Sequence, residues 1–327
     1  MSRRRNDGPD GLVVVDKDAG WTSHDVVAKS RGLLGTRKVG HSGTLDPDAT
    51  GILLLGVGRV TRLLRFLTAL PKTYTCDIVL GTETTTLDDS GEVVATYDMS
   101  SVTFEQIEAA ARGLTGDIMQ IPPMVSAVKI DGRRLHELAR EGIEVERAPR
   151  PVTVHRFTVT PTGEAHIIRA EVECSSGTYV RTLAADLGTA LGGGAHLRDL
   201  RRTAIGSFSL ADALPLASIS PASLLTPASA LRDYPTIVVT ESERLDVGHG
   251  KVLPRDERFA GEGPWVIVDD DGRLLAVYAA HRGGTVKPEV VVAPIEGSAS
   301  VPPDDAAGSP VDGSRSAPPS SSDPIDG

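Results

Sequence analysis

Residues 40–51 read Gly40-His41-Ser42-Gly43-Thr44-Leu45-Asp46-Pro47-Asp48-Ala49-Thr50-Gly51, and an apolar run, Ile52-Leu53-Leu54-Leu55-Gly56-Val57, follows at once. The proline biases Asp46 away from helical geometry, and the flanking glycines let another molecule approach the backbone closely. Asp-Pro and Gly-Thr steps are also ordinary turn chemistry, so spacing alone leaves a plain turn as the commoner reading. Residues 36–51 are therefore expected to form a loop that feeds a buried strand over 52–57.

Working outward, residues 12–15 read as a second buried strand, and Ser23 as the N-cap of a helix over about 24–34. Residues 74–80 alternate at period two, as a half-buried strand does. Thr103 and Gln106 predict a capping box for a helix that reaches about Arg112 and stops at Gly113. Residues 153–160 and 167–174 predict a strand pair around the Pro161-Thr162-Gly163 turn, and 178–191 a helix closed by Gly192-Gly193-Gly194. Strands and helices interleaved in this irregular order imply an α+β domain on a mixed sheet. Past about 235 the texture changes to short β runs at 236–240, 265–269, 274–278 and 289–292, which predict a small β-rich domain. From about 297 the chain is Ser, Pro, Asp and Gly, too poor in apolar residues to build a core, and 297–327 is expected to be a disordered tail.

The 327 residues suffice for one large domain and a small one. Cys76 and Cys174 have neither CxxC spacing nor a nearby His, so reduced buried thiols are expected, without a disulfide or zinc. The basic start Met1-Ser2-Arg3-Arg4-Arg5 has no apolar region after it, and the run from Leu12 stops at Asp16. That is far short of a signal peptide or a span of about 20 residues, and a cytoplasmic location is expected. The net charge of -10 argues at first against a nucleic-acid partner. Residues 1–210, however, hold 25 Lys and Arg against 26 Asp and Glu, whereas 211–327 hold 9 against 18. The acidity lies in the C-terminal third. Basic clusters at Arg31/Arg37/Lys38, Arg59/Arg62/Arg65, Arg133/Arg134 and Arg198/Arg201/Arg202 lie in the balanced part, and local clusters rather than total charge govern phosphate binding.

The motif set resembles one family. Residues 16–25 (DKDAGWTSHD), 40–51, Lys72-Thr73-Tyr74, 120–129 (QIPPMVSAVK), 174–183 (CSSGTYVRTL), Gly194-Ala195-His196-Leu197 and Leu200-Arg201-Arg202 stand in the order of the bacterial tRNA pseudouridine synthase B (TruB) family. The resemblance covers about residues 11–210. It implies a pseudouridine synthase fold, a mixed sheet flanked by helices over 11–235 after a flexible N-terminus at 1–10. An RNA-clamping insertion over about 124–150 and a PUA-like, RNA-binding β-rich domain over 236–296 would complete it. Two departures stand out: Asp18 where the family usually has proline, and Asp48 where it has Leu or Met. Asp48 is expected to point outward, since a second carboxylate beside Asp46 would raise its pKa.

The resemblance implies isomerisation of uridine 55 in the T-loop of tRNA to pseudouridine, with the T-stem and T-loop as partner and no cofactor, metal or membrane. A monomer is expected. Asp46 would be the catalytic carboxylate acting at the sugar–base bond, Arg181 its ion-pair partner and Tyr74 a stacking, proton-relaying tyrosine. Tyr179 and Leu200 would wall the uracil pocket, and His41 would fill the space left by the flipped nucleotides. Lys129, Arg133, Arg134 and Arg147 would meet phosphates, and Lys17 would hold the loop near the site. Taken singly, Tyr74, Tyr179 and Leu200 are also ordinary core residues, Arg181 an ordinary surface arginine, and His41 a loop-capping one. Two other readings stand beside this one: a related synthase acting on another RNA uridine, and a non-catalytic RNA-binding or RNA-folding protein on the same scaffold.

Overall fold

The apolar runs on either side of the Asp46 loop meet inside a sheet. Strand β1 (Gly11–Lys17) pairs antiparallel with β3 (Thr50–Val57), Val13 opposite Leu55 and Val15 opposite Leu53. Between them in the chain lies β2 (Val39–Ser42), on the other edge of β3. The computed structural model describes residues 8–292 apart from Ala127, Val128, Asp131, His136, Glu137, Ala139, Arg140 and Glu144. The tail expected over 297–327 and the first seven residues of the expected flexible N-terminus lie outside the described residues.

The chain continues through β4 (Lys72–Leu80), a short hairpin of β5 (Thr82–Thr84) and β6 (Val93–Thr96), β7 (Gly116–Gln120), and a second hairpin of β8 (Lys129–Ile130) and β9 (Arg133–Arg134). Then follow β10 (Arg150–Pro161), β11 (Ile167–Cys174), β12 (Ala195–Ile205), β13 (Phe208–Ser209) and β14 (Leu214–Pro215). The main sheet is ten-stranded and runs β14-β1-β3-β12-β4-β11-β10-β7, with β2 on β3 and β13 on β12. β12 is parallel to β3 and antiparallel to β4, so the sheet is mixed, as the order of elements predicts.

Period-two alternation decides which helix covers which face. Val13, Val15, Leu53 and Leu55 pack on Val26 and Val27 of α1 (Ser23–Leu33). Their neighbours Leu12, Val14, Ile52 and Leu54 face Phe66 and Leu67 of α2 (Leu64–Ala69) on the opposite side. Farther along the sheet, Cys76, Ile78, Ala170 and Val172 are covered by α3 (Phe104–Gly113) and α4 (Val180–Ala190). The Thr103–Gln106 capping box forms as expected.

Three local expectations need correction. The first helix is capped by Thr22 rather than Ser23, because Thr22 and Asp25 satisfy each other's backbone reciprocally. Residues 39–42, read as loop, are a strand: Gly40 and Gly56, which pair across β2 and β3, lie under the side chain of Leu64, where a Cβ on either would crowd it. The helix expected from 178 begins at Val180, since Thr178 is used in a turn with Ser175.

The C-terminal region holds a five-stranded sheet of β15 (Thr236–Val238), β16 (Leu253–Pro254), β17 (Trp265–Val268), β18 (Leu274–His281) and β19 (Thr285–Val291), in the order β15-β17-β18-β19-β16. A helix missed from the sequence, α5 (Glu241–Gly248), sits among these strands on a Thr240–Glu243 capping box. One face of this sheet buries Trp265, Ile267 and Tyr278 against Val247 of α5. The other puts Val266, Val268, Val277, Val290 and Val292 into the same core as Leu12, Leu54, Phe66 and Leu67. Arg62 donates to the Val291 carbonyl at 2.8 Å, and Arg65 pairs with Glu289 at 2.7 Å. Arg59 reaches the Val292 carbonyl at 3.4 Å and pairs with Asp10. The Arg59/Arg62/Arg65 cluster thus binds the second sheet to the first. Among the described residues no helix is long and apolar enough to cross a membrane.

Candidate active site

The loop between β2 and β3 is pinned at four points. Ser23 holds Leu45 from both sides, its hydroxyl accepting from the Leu45 N–H at 2.9 Å and donating to the Leu45 carbonyl at 3.2 Å. The Pro47 carbonyl accepts from Lys17 Nζ at 2.8 Å and from the Gly20 N–H at 3.0 Å. Arg202 donates to the Gly43 carbonyl at 3.1 Å. At the loop's end Gly51 has φ +99° and lies so close to β12 that a Cβ would meet the Arg202 carbonyl at 2.2 Å, so only glycine fits. Leu45 is buried in the core beside Tyr74, and the next residue, Asp46, opens on the cleft.

That cleft encloses about 270 Å³, and Asp46, Lys72, Tyr74, Tyr179, Arg181 and Leu200 are among the residues lining it. The volume is at the lower limit for small-molecule sites and suits one flat ring rather than a large ligand. Arg181, with a 5% exposed side chain, is the centre of the charged network. Its Nη2 lies 3.2 Å from Asp46 Oδ2 and 2.8 Å from the Val125 carbonyl; its Nη1 lies 3.4 Å from Asp88 Oδ2 and 3.0 Å from the Thr86 carbonyl. Two carboxylates and two carbonyls thus fix one guanidinium, the planar group best suited to such a fork. Gln120 clamps the start of α4, donating to the Tyr179 carbonyl at 3.1 Å and accepting its N–H at 2.7 Å. Lys72 Nζ donates to the Thr68 and Leu70 carbonyls, and buried Arg202, opposite Tyr74 across β12 and β4, donates to the Ile52 carbonyl at 2.8 Å.

Burial pushes the Asp46 carboxyl above the ordinary carboxylate range, and Asp88 and Asp48 add to this, while Arg181 and Lys17 oppose it. Its side chain remains 45% exposed and lines two adjoining clefts, where a charge is less fully hydrated than on an open surface. Asp48 is exposed and is the weakest of the named influences on Asp46. Burial also pulls Lys17 and Lys72 down to about 8 each, and pushes the Tyr74 hydroxyl up, which keeps it protonated near neutrality.

The structure therefore brings Asp46, Tyr74, Tyr179, Arg181 and Leu200 together around one cavity. Lys17 lies behind the loop, its ammonium donating to the carbonyls of Asp18, Trp21 and Pro47. His41 is outside the cavity lining, with its ring edge-on to His24 at 5.3 Å between centroids. In the 124–150 segment, Arg133 pairs with Glu141 on the surface, and Arg147 donates to the Pro122 carbonyl at 3.0 Å. Lys129 and Arg134 stand opposite each other in the β8–β9 hairpin. Sequence reasoning missed Asp88, Gln120 and Lys72 as parts of the site. Gln120 and Lys72 open two of the quoted motifs and were within reach; nothing local marks Asp88. Among the described residues no group of three or more His, Cys, Asp and Glu is placed to hold a metal.

Residues 31–180 match the model of the TruB family pseudouridylate synthase N-terminal domain, and 181–239 that of the tRNA pseudouridylate synthase B C-terminal domain. The chain is 51% identical to tRNA pseudouridine synthase B of Rhodococcus jostii (strain RHA1), over 87% of this chain and 94% of that protein. It is 44% identical to the protein of the same name from Arthrobacter sp. (strain FB24), over 87% and 97%. Among solved structures, a chain of a Cbf5-Nop10-Gar1 complex superposes with a TM-score of 0.67 at 25% identity, covering 88% of this chain and 86% of that one.

Proposed function

The chain belongs to the TruB family of pseudouridylate synthases, and on that premise we propose that it converts uridine 55 in the T-loop of tRNA to pseudouridine, with Asp46 as the catalytic carboxylate. That it is a tRNA pseudouridine synthase follows from its relatives, which align with it over most of both chains. The observation that supports the finer reading is the placement of Asp46 in a ring-sized cavity against Tyr74, with Arg181 3.2 Å behind it.

In this reading the target nucleotide leaves its stack and its base enters the cavity. Extrusion costs a few kcal/mol, which stacking on an aromatic ring helps to offset. Asp46 provides the anion beside the glycosidic bond, attacking either C1′ or C6. The N1–C1′ bond breaks, the base turns, C5 bonds to C1′ as the bond to Asp46 is given up, and C5 loses its proton to water while N1 takes one up. The reaction is an isomerisation without net electron transfer. Arg181 opposes the effect of burial and keeps Asp46 ionised and aimed. Tyr74, protonated, offers its ring to the base. Tyr179 and Leu200 close the slot. Lys17 keeps the loop in place through Pro47, one residue beyond Asp46.

A tritium-release assay on unmodified tRNA labelled at uridine C5 tests this. Wild type is expected to release label, and Asp46→Asn to be slower by at least about 10³-fold, the scale on which loss of a reacting group is felt. Mapping the product to position 55 separates this reading from a synthase for another uridine. Tight tRNA binding without release by the wild type would support the non-catalytic scaffold instead.

A further inference from the structure

Strand β12 carries an irregularity at the edge of the cleft. Arg198 stands opposite Asp77 of β4 and Arg201 opposite Thr75, so Asp199 and Leu200 together face the single residue Cys76. Two residues against one is a β-bulge, and the extra residue changes which face the following side chains occupy. Asp199 makes the bulge with a left-handed backbone, φ +52°. Asp tolerates that conformation better than most residues, glycine is indifferent to it, and β-branched residues resist it.

Both flanks of the bulge are anchored. Arg198 Nη2 lies 3.1 Å from buried Asp77, which Arg169 also holds, and Arg201 Nη2 lies 2.7 Å from Asp16 of β1. The Asp199 carboxylate itself is 71% exposed and reaches Arg198 Nε at 3.4 Å, a pair of the kind that contributes little. Leu200, the next residue, lines the cleft and also the cavity that continues beyond Asp46 and Arg181. The bulge thus sits where a regular strand would aim a different side chain at the base.

We propose that Asp199 is a positioning residue for the reaction, and that its left-handed backbone, rather than its carboxylate, aims Leu200 into the slot. This rests on the reading of the cleft as the uracil site. A residue that resists positive φ at position 199 has two courses: the bulge stays and is strained, or it relaxes and withdraws Leu200 from the base. Since the two shorter ion pairs hold the flanks and the exposed Asp199–Arg198 pair contributes little, the two-residue bulge between them is the part free to relax.

The test compares Asp199→Gly, Asp199→Asn and Asp199→Val in the full chain, with turnover followed by tritium release and folding by circular dichroism. Val is expected to lower kcat about tenfold, on the scale of one strained backbone residue. Its KM for tRNA should stay within about twofold, because most RNA affinity comes from the phosphate backbone. Gly and Asn should stay within about threefold of wild type in both parameters. Equal losses in Gly, Asn and Val would assign the effect to the carboxylate and overturn the inference. Wild-type turnover in a folded Val variant would also overturn it. Should Val not fold, Asp199→Ala decides: it must lose more kcat than Gly, and equality overturns the inference. A wild-type protein that forms no pseudouridine would defeat the functional reading instead, which keeps the two failures apart.

Discussion

Asp46 stands under opposing influences: the cleft walls and the Asp88 carboxylate favour its protonated form, whereas Arg181 and Lys17 favour the anion. If the anion is the working form, kcat/KM must fall as pH drops through the pKa of Asp46, and burial places that limb above the ordinary Asp value of about 3.9. Arg181→Met removes the largest opposing charge and should move the limb to higher pH, besides lowering the plateau. Asp88→Asn removes a like charge and should move it lower, while costing some kcat because Arg181 loses one of its partners. A limb that stays in place in both variants would disprove this assignment. The same electrostatics has a sign for stability: a carboxyl whose folded pKa is raised favours the folded state least when ionised. That cost is present at neutral pH and relieved as pH falls through the raised pKa. Asp46→Asn should therefore melt no lower than wild type at neutral pH, even while inactive. Asp46 was singled out in the sequence only by the whole set of motifs, since its loop alone reads as an ordinary turn. Asp88 was not, because its partner Arg181 is distant in the chain and the surrounding threonines read as any exposed turn.

At the scale of elements, legibility followed how each strand is stabilised. β3 and β4 announce themselves, one as a continuous apolar run covered on both faces and the other by its alternation. β12 lies between them in the sheet and was missed as a strand. Its residues include His196, Arg198, Arg201 and Arg202, whose side chains bond to Thr82, Asp77, Asp16 and Ile52. Such partners come from other strands, so the period-two pattern is hidden until the sheet has formed. The C-terminal β runs were legible, but not that one face of their sheet completes the core under β1, β3 and α2. This sharing makes a stability prediction. Val277 is 1% exposed within that core, so Val277→Ala should cost about 1–3 kcal/mol of unfolding free energy. In a Trp21→Phe background, guanidinium unfolding followed by Trp265 fluorescence and by loss of activity should shift together, because Trp265 then reports on the second sheet and turnover on the first. A variant whose second sheet unfolds while turnover persists would show that the shared core does not couple them.

For the molecule as a whole, an enzyme for a polyanion carries a net charge of -10, and the arrangement of that charge matters more than its sum. Several basic clusters of the sequence are committed internally: Arg59, Arg62 and Arg65 to the second sheet, Arg198 and Arg201 to carboxylates, and Arg202 to buried carbonyls. Arg31, Arg37 and Lys38, in contrast, are exposed. The cations left for phosphate contact are thus fewer than composition implies, and distant negative charge weighs more heavily against them. Residues 297–327 contribute five Asp against one Arg, a net of -4, with no residue of the proposed site among them. Removing 297–327 should leave kcat at saturating tRNA unchanged, since the groups at the base slot remain. It should also tighten tRNA binding at low ionic strength, where electrostatic reach is long, and the gain should fade toward about 0.15 M salt, where the screening length is about 8 Å. Filter-binding titrations of the full and shortened chains across a salt series, paired with turnover, measure both effects. A large loss of kcat in a folded shortened protein would place part of the catalytic apparatus in that segment. A gain in affinity that persists at high salt would point to steric masking of the RNA site, not to charge.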